Sequence, residues 1–459
     1  MRNGLIYCES STSSEKQTRM TPDITRFYAA ENGIPFADRP AIMPWRAQNS
    51  VPAQEIAAQW QTLCNRRLPS NKRLVYLHIP FCATRCRFCG FYQNRLEDDV
   101  MEKYCDYLIR EIELESACAL HRDAPVHAVY LGGGTPSALG AAQLHRLISV
   151  VRRCLPLAPD CEITIEGRVL NFDDDRVDAC LDAGANRFSI GIQTFDTLIR
   201  RRLGRRATRE EALAFLRKLT RRDSAAVVCD LIFGLPGQTH ESWFDDLKLV
   251  RDLGLDGVDL YSLNLLPSTA LAKAVVDQRI TLPDLAARRD FYVEGARLLG
   301  ENGWHQLSNS HWARTTRERN IYNLLIKQGA DCLAFGSGAG GNLDGDSYRI
   351  APDLTTYFAQ LDDGRKPIMA MTRANGEQRW RLDLQGGIEA GRYDLSRIVE
   401  NPVVLAPLLQ QWQRCGLVNC EDSRFTLTPE GRFWGNNLLQ ALQTLLPQLT
   451  TLHGDFANA

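Results

Sequence analysis

The sequence lacks any long apolar run. No window approaches the roughly 18 consecutive apolar residues that a membrane-crossing helix needs, and the opening MRNGLIYCESSTSSEKQTR has no apolar stretch of the kind that marks a secretory leader. It also lacks an excess of either charge, with 54 Lys plus Arg against 55 Asp plus Glu and a net charge of -1. No terminal basic block, zinc-finger signature or RNA-recognition signature is present, which excludes a polybasic nucleic-acid binder. Cysteine, 14 in 459 residues, is too sparse for a disulfide-stapled scaffold. At 44% hydrophobic and 24% charged residues, the remainder excludes disorder and collagen-like structure. The expectation is a cytoplasmic protein with no nucleic-acid partner and no membrane insertion.

At roughly 150 residues per domain the length allows about three units. Residues 1–70 read as an N-terminal extension, carrying Pro35, Pro40, Pro44 and Pro52 before a short helix over Ala53 to Asn65. From Leu74 apolar runs recur: LVYLHI (74–79), VHAVYLGG (126–133), CEITIEG (161–167), NRFSIGI (186–192), AAVVCDLIFG (225–234) and VDLYSLNL (258–265). Each pair is separated by enough chain for a crossover helix, the first over about Val100 to Leu120, and near-continuous apolar strands fit a parallel sheet covered by helices. The fold class is therefore α/β, with residues 71–282 as a partial (β/α)6 TIM-like barrel. Residues 283–349, with WHQLSNSHWAR (304–314) and the glycine-rich DCLAFGSGAGGNLDG (331–345), read as a segment completing the barrel and covering the active site. Residues 350–459 read as a mostly helical, winged-helix-like C-terminal domain with a helix at 404–416 and a β element at 424–431.

Three of the cysteines crowd into YLHIPFCATRCRFCGFY, where Cys82, Cys86 and Cys89 have C-x3-C-x2-C spacing just after the first strand. Three thiolates can hold three irons of a 4Fe-4S cubane and leave the fourth iron an open position for an amino and a carboxylate group. The competing reading is a structural zinc, for which His78 would have to serve as the fourth ligand. His78 lies on the strand itself, and the loop is compact enough to wrap a cubane.

This motif resembles the radical S-adenosylmethionine (SAM) superfamily, whose members bind SAM at the open iron and cleave it reductively to a 5'-deoxyadenosyl radical. Tyr76, His78, Pro80 and Phe81 flank the cysteines as in the oxygen-independent coproporphyrinogen III dehydrogenases. By that resemblance LGGGTPS (131–137), with Gly133, Gly134 and Thr135, meets the methionine amino group. Read alone it is a tight βα turn whose missing Cβ atoms admit a ligand to backbone carbonyls. The resemblance further gives Glu166, Gln193 and Asp230 as cofactor contacts, Tyr76 as a weaker one, and Arg205 as the partner of the SAM carboxylate. It places His311 and Arg314 of HWAR, with Gly336 and Ser337, near a substrate or second SAM. Taken singly, each of these side chains also reads as an ordinary satisfied polar group, and the run Arg200 to Arg202 as a solvated helix end.

Where the dehydrogenase carries a further cysteine beyond the triad, this sequence has Phe91. Together with the lead-in FYAAENGIPFADRPAIMPW (27–45), CGFY is most similar to the anaerobic heme-degrading branch. That resemblance implies a methyltransferase that opens heme without oxygen, releases iron and yields a methylated linear tetrapyrrole. Its cofactors would be one 4Fe-4S cluster with an open iron site and SAM. Its partners would be heme, a one-electron donor such as reduced flavodoxin, and a heme-handling or product-accepting protein. The alternatives are coproporphyrinogen III dehydrogenation and a heme chaperone of the same fold. The other cysteines, Cys229 and Cys332 among them, read as buried thiols, so a single cluster is expected.

Overall fold

The computed structural model describes residues 23–41, 49–66, 72–375 and 377–449. Six parallel strands form its centre: β1 (Arg73–Ile79), β2 (Val126–Gly133), β3 (Leu157–Gly167), β4 (Arg187–Gln193), β5 (Ala226–Phe233) and β6 (Gly257–Ser262). They lie side by side in that order. Each crossover carries a helix, beginning with Asp98–Ser116 and Ala141–Cys154, as the long return between parallel strands demands. The strands read as nearly unbroken apolar runs because both faces are covered, β2 being buried at six of its eight positions. Helix starts follow local chemistry. Asp173 caps Asp174–Ala183 by accepting from the Arg176 N–H, and Thr208 forms a reciprocal capping box with Glu211.

The sheet is larger than the sequence pattern indicates. Beyond β6 it adds the antiparallel β7 (His305–Gln306) and β8 (His311–Ala313), both within the polar aromatic stretch. On the other side, β9 (Asp331–Phe335) pairs parallel with β1 as a seventh parallel strand. It is followed by the antiparallel β10 (Gly340–Leu343), β11 (Asp346–Ile350) and β12 (Ile368–Thr372). Twelve strands thus make one mixed sheet with two antiparallel edges, a partial TIM-like barrel. The glycine-rich part of the segment expected to complete the barrel and cover the site is largely strand. All five residues of DCLAF are buried between β1 and β10, which outweighs the loop character of its glycine neighbours. The sheet also continues past residue 349, through β12.

The C-terminal part holds helices Gln378–Ala390, Ala406–Arg414, Pro429–Phe433 and Gly435–Leu445. Between them sits a small antiparallel sheet of β13 (Arg392–Asp394), β14 (Val418–Glu421) and β15 (Arg424–Leu427), with β15 in the middle.

The described parts of the lead-in are anchored at two separate places, the C-terminal helices and the edge strand β12. Near residue 29 the chain is gripped by Gln411, whose side-chain oxygen accepts from Ala29 N at 2.9 Å while its amide donates to Ala29 O at 2.6 Å. Trp412 donates to Phe27 O, Asn437 to Asp38 O and Asn436 to Pro40 O. The second part contains α1 (Ile56–Cys64), matching the helix expected there, and Val51 N donates to Met371 O on the edge strand β12. The final four residues of the lead-in motif, 42–45, lie outside the described residues.

Gln411 is 2% exposed, so Gln411→Ala leaves the buried Ala29 N–H without its partner and Ala29 O with only the Cys415 thiol at 3.7 Å. The expected result is a loss of about 1–3 kcal/mol in chemical denaturation and faster protease cleavage between residues 23 and 41. Unchanged cleavage would show that Gln411 does not hold the lead-in.

Candidate active site

The site lies where the parallel strands end, the face from which loops of such sheets converge. After β1, Phe81–Cys82 pairs briefly with Asn94–Arg95 and closes the cysteine loop on itself. Cys82 and Cys86 are buried and Cys89 half-buried, and Cys89 Sγ accepts from Phe91 N at 3.3 Å. Phe91 itself is 64% exposed. Burial pushes the Cys82 thiol up, opposed by the Thr135 hydroxyl at 3.3 Å and by the Arg168 guanidinium at 3.8 Å.

The glycine turn after β2 is shaped for close approach. Gly133 has φ +107°, and a Cβ there would fall 2.6 Å from His78 Nδ1. A Cβ on Gly134 would sit 2.5 Å from Phe81 O and 2.7 Å from Ile79 O. A side chain at either position would displace the cysteine loop or the strand beneath it.

A cavity of about 170 Å3 opens between this turn and the cysteine loop. Cys86, Cys89, Gly134, Thr135, Glu166, Gln193, Arg205 and Asp230 line it, together with Phe88, Arg168, Ser189 and Gly191. Glu166, ending β3, accepts from the Tyr130 hydroxyl at 2.9 Å and from Gly133 N at 3.2 Å. Burial holds its carboxyl above the ordinary range against those two bonds. Asp230 is pushed up to about 7 by burial and by the Asp259 and Glu166 carboxylates, opposed by the Ser189 hydroxyl at 3.1 Å. Gln193 ends β4 at φ +68°, a conformation that costs a residue with a Cβ about 1–3 kcal/mol, and its Oε1 is buried without a partner. Arg205 donates to Gly191 O at 3.1 Å, and its Nε is likewise unpartnered. Orphaned donors and acceptors in one concave site mark a place for a polar ligand. An adjoining cavity of about 380 Å3 shares Arg168 and Arg205 and adds Arg206, Val169 and Leu170.

Tyr76 lies deeper in the sheet, its hydroxyl 2.9 Å from His78 Nδ1, and does not line the cavity. Four expected substrate contacts do not line it, although Gly336 and Ser337 follow β9 at the same end of the sheet as the cysteine loop, where a Cβ on Gly336 would fall 2.6 Å from His78 O. His311 is fully buried, with Nδ1 at 2.9 Å from Asp259 Oδ2 and Nε2 at 2.9 Å from Glu318 Oε1, so each ring nitrogen faces a carboxylate at ion-pair distance. Arg314 follows β8, which runs antiparallel to β6. The chain has therefore returned to the start of β6, and Arg314 N donates to Asp256 O at the opposite end from the cysteines. Gly336 N donates to Glu111 Oε2 at 2.8 Å, and the Ser337 hydroxyl donates to Ala351 O at 2.9 Å, so that turn is fastened to the helix beside it and to the chain after β11.

Sequence reasoning passed over Arg168, Ser189 and the buried ion pair of Arg187 with Glu318 at 2.9 Å. A signal existed for two of them. In RFSIGIQ the positions Arg187, Ser189, Gly191 and Gln193 alternate with Phe and Ile, so a strand period of two puts the polar set on one face. Glu318, distant in sequence, carried no such signal.

Burial alone would depress His311, but the Asp259 and Glu318 carboxylates outweigh it and raise the imidazole from an ordinary 6.5 to about 9. Its contribution to stability is complete below pH 6.5 and is lost as pH rises through about 9, on the order of 3 kcal/mol. Unfolding free energy of the wild type should therefore fall between pH 6.5 and 9 more steeply than that of His311→Gln. Parallel pH profiles would refute the ion-pair assignment.

The Radical SAM superfamily model matches residues 76–250. The chain is 54% identical over 430 residues to an anaerobilin synthase of Escherichia coli O157:H7, covering 94% of this chain and 97% of that protein. It is 30% identical over 294 residues to a heme chaperone of Synechocystis sp., covering 63% of this chain and 70% of the chaperone. Among solved structures it resembles the coproporphyrinogen III oxidase of Escherichia coli, a radical SAM enzyme, with a TM-score of 0.71 and 25% identity over 84% of this chain and 93% of that one. A superfamily match spanning the cysteine loop and β1 to β5, joined to full-length likeness at this identity, shows that the chain belongs to the radical SAM superfamily and, within it, to the family of the anaerobilin synthase.

Proposed function

We propose that this protein opens the heme macrocycle under anaerobic conditions, as a radical SAM methyltransferase that releases iron and gives a methylated linear tetrapyrrole. The observation that carries the reading is the likeness to an anaerobilin synthase along almost the whole of both chains. The cavity supports it with chemistry suited to the cofactors. Cys82, Cys86 and Cys89 are the residues to hold a single 4Fe-4S cluster with one iron left open. Thr135 and Arg168 favour the thiolate of Cys82. Gly133, Gly134, Thr135, Glu166, Gln193, Arg205 and Asp230 are the residues for SAM, with the Arg205 cation for its carboxylate and the orphaned Gln193 Oε1 as an acceptor for its donors.

When bound, cluster and SAM supply one-electron reductive chemistry. The chain orients SAM, excludes water with buried walls and keeps a proton available at Asp230, whose carboxyl titrates near neutrality. The adjoining cavity sets Arg168, Arg205 and Arg206 beside Val169 and Leu170. Cationic and apolar walls together suit a flat macrocycle bearing carboxylates. A cytoplasmic site of action belongs to the same reading, since all thirteen described cysteines are free thiols. The arrangement of β14 and β15 behind the Ala406–Arg414 helix supports a winged-helix-like C-terminal domain.

The decisive assay combines reconstituted protein, heme, SAM and reductant without oxygen. A linear tetrapyrrole carrying an added methyl group is expected. Recovery of intact heme, transferred to an acceptor or not, would overturn the proposal, and carbon dioxide release from coproporphyrinogen would favour the dehydrogenase. Cys82→Ala, Cys86→Ala and Cys89→Ala should each abolish the cluster spectrum and SAM cleavage. Arg205→Ala should weaken SAM binding by about 2–5 kcal/mol, the usual cost of truncating one partner of a buried charge pair.

Electrons must enter near the cysteine loop, where Arg85, Arg87, Arg201 and Arg202 are exposed. The 200–204 turn touches that loop, Arg87 N donating to Leu203 O at 3.0 Å. This surface fits an acidic one-electron donor protein such as reduced flavodoxin. Arg87→Glu with Arg201→Glu should slow turnover driven by flavodoxin several-fold, with steep salt dependence in the wild type, while turnover with dithionite stays unchanged. Equal loss with both reductants would place the defect in the site instead.

A further inference from the structure

One group of ligand-type side chains has no part in the chemistry above. The sulfurs of Cys64 and Cys118 and a carboxylate oxygen of Glu115 lie within 4.8 Å of one another, and no other group of three such residues does so among the described residues. Cys64 is the last residue of α1 in the lead-in. Glu115 lies in the final turn of α2 (Asp98–Ser116), and Cys118 follows that helix. Cys64 is 3% and Glu115 4% exposed, whereas Cys118 is half-buried and open to entry from solvent.

The charges around Glu115 are incompletely matched. Its Oε2 is buried without a hydrogen-bond partner. The cation facing it, Lys366, donates to Glu111 Oε1 at 2.7 Å and to Ala334 O at 3.0 Å, and stands 4.0 Å from Glu115 Oε2. Lys366 is therefore occupied by Glu111. The Trp60 indole offers Glu115 one hydrogen bond, and burial still holds the carboxyl above its ordinary range. A buried carboxylate paired only at this distance would be stabilised by a second cation. Two soft thiolates and one oxygen within 4.8 Å of one another form a donor set for a borderline divalent ion such as zinc, which accepts both kinds of ligand in tetrahedral geometry.

We propose that Cys64, Glu115 and Cys118 form a zinc-class metal site, separate from the Cys82, Cys86 and Cys89 triad, which fastens the lead-in helix α1 to the barrel helix α2. Binding is coordination without electron transfer: both thiols release their protons to solvent and the ion takes the two sulfurs and the carboxylate. With three protein ligands, water would complete the tetrahedron. Because α1 also packs along the edge strand β12, the ion ties this edge of the sheet to the first crossover helix.

The test uses the full chain with Cys82, Cys86 and Cys89 replaced by alanine, so that no cluster absorbs, titrated anaerobically with cobalt(II) and then zinc. One equivalent of cobalt should give thiolate charge-transfer absorption that zinc displaces. Cys64→Ser and Cys118→Ser should abolish it, and Glu115→Gln should weaken binding by about tenfold or more. On the protein with its triad intact, Cys64→Ser and Cys118→Ser should lower the zinc content and leave the iron content as it was. No thiolate absorption in the parent chain, or absorption that survives Cys118→Ser, would overturn the proposal. So would a Cys64–Cys118 disulfide in peptide mapping of protein prepared without oxygen. Cys118, half-buried at a helix boundary, is the variant of choice should Cys64→Ser fail to fold.

Discussion

The cysteine loop depends on one backbone approach. Gly134 N donates to Ile79 O at 2.8 Å, and the absence of a Cβ lets the turn after β2 press against Phe81 at the base of the loop. That contact fixes where Cys82 emerges, and Cys82 then meets Thr135 on the same turn at 3.3 Å. The remaining site residues arrive from adjacent parallel strands. Glu166, Ser189 and Asp230 are brought together because β3, β4 and β5 lie in register, with Glu166 opposite Ser189 and Gly191 opposite Asp230. The active site is therefore a property of sheet register more than of any one loop.

Beneath the cavity the sheet holds charges that an apolar core would ordinarily exclude. Arg187 meets Glu318, Glu318 meets His311, His311 meets Asp259, and Asp259 raises Asp230 at the cavity wall. Each member depends on the next, since removing one leaves a buried charge unpaired. Within that chain the His311 imidazole lies between the Asp259 and Glu318 carboxylates, 2.9 Å from each.

The lead-in acquires its meaning only in three dimensions. One part lies in the grip of Gln411, Trp412 and Asn437, and the other carries α1 to the edge of the sheet. Proline spacing marked it as extended, and the short helix over residues 53–65 that follows the prolines was legible too. Its partners were not, because its backbone groups are held by side chains hundreds of residues away.

The sequence by itself determined the six parallel strands, the cysteine spacing, the glycine turn and the polar residues at strand ends, because each follows from local periodicity or from ligand spacing along a few residues. Phe91, in the place of a further cysteine, already separated this chain from the dehydrogenase pattern. The tertiary structure alone decided that DCLAF is a seventh parallel strand, that His311 serves an internal ion pair, that Arg314 lies at the far end of the sheet, and that Gly336 and Ser337 close a structural turn. In each case the residue's surroundings come from distant chain: β1 beside β9, Glu318 and Asp259 beside His311, an antiparallel return for Arg314, Glu111 beneath Gly336. Local pattern records which side chains are polar, and only the packed sheet fixes which partner satisfies them.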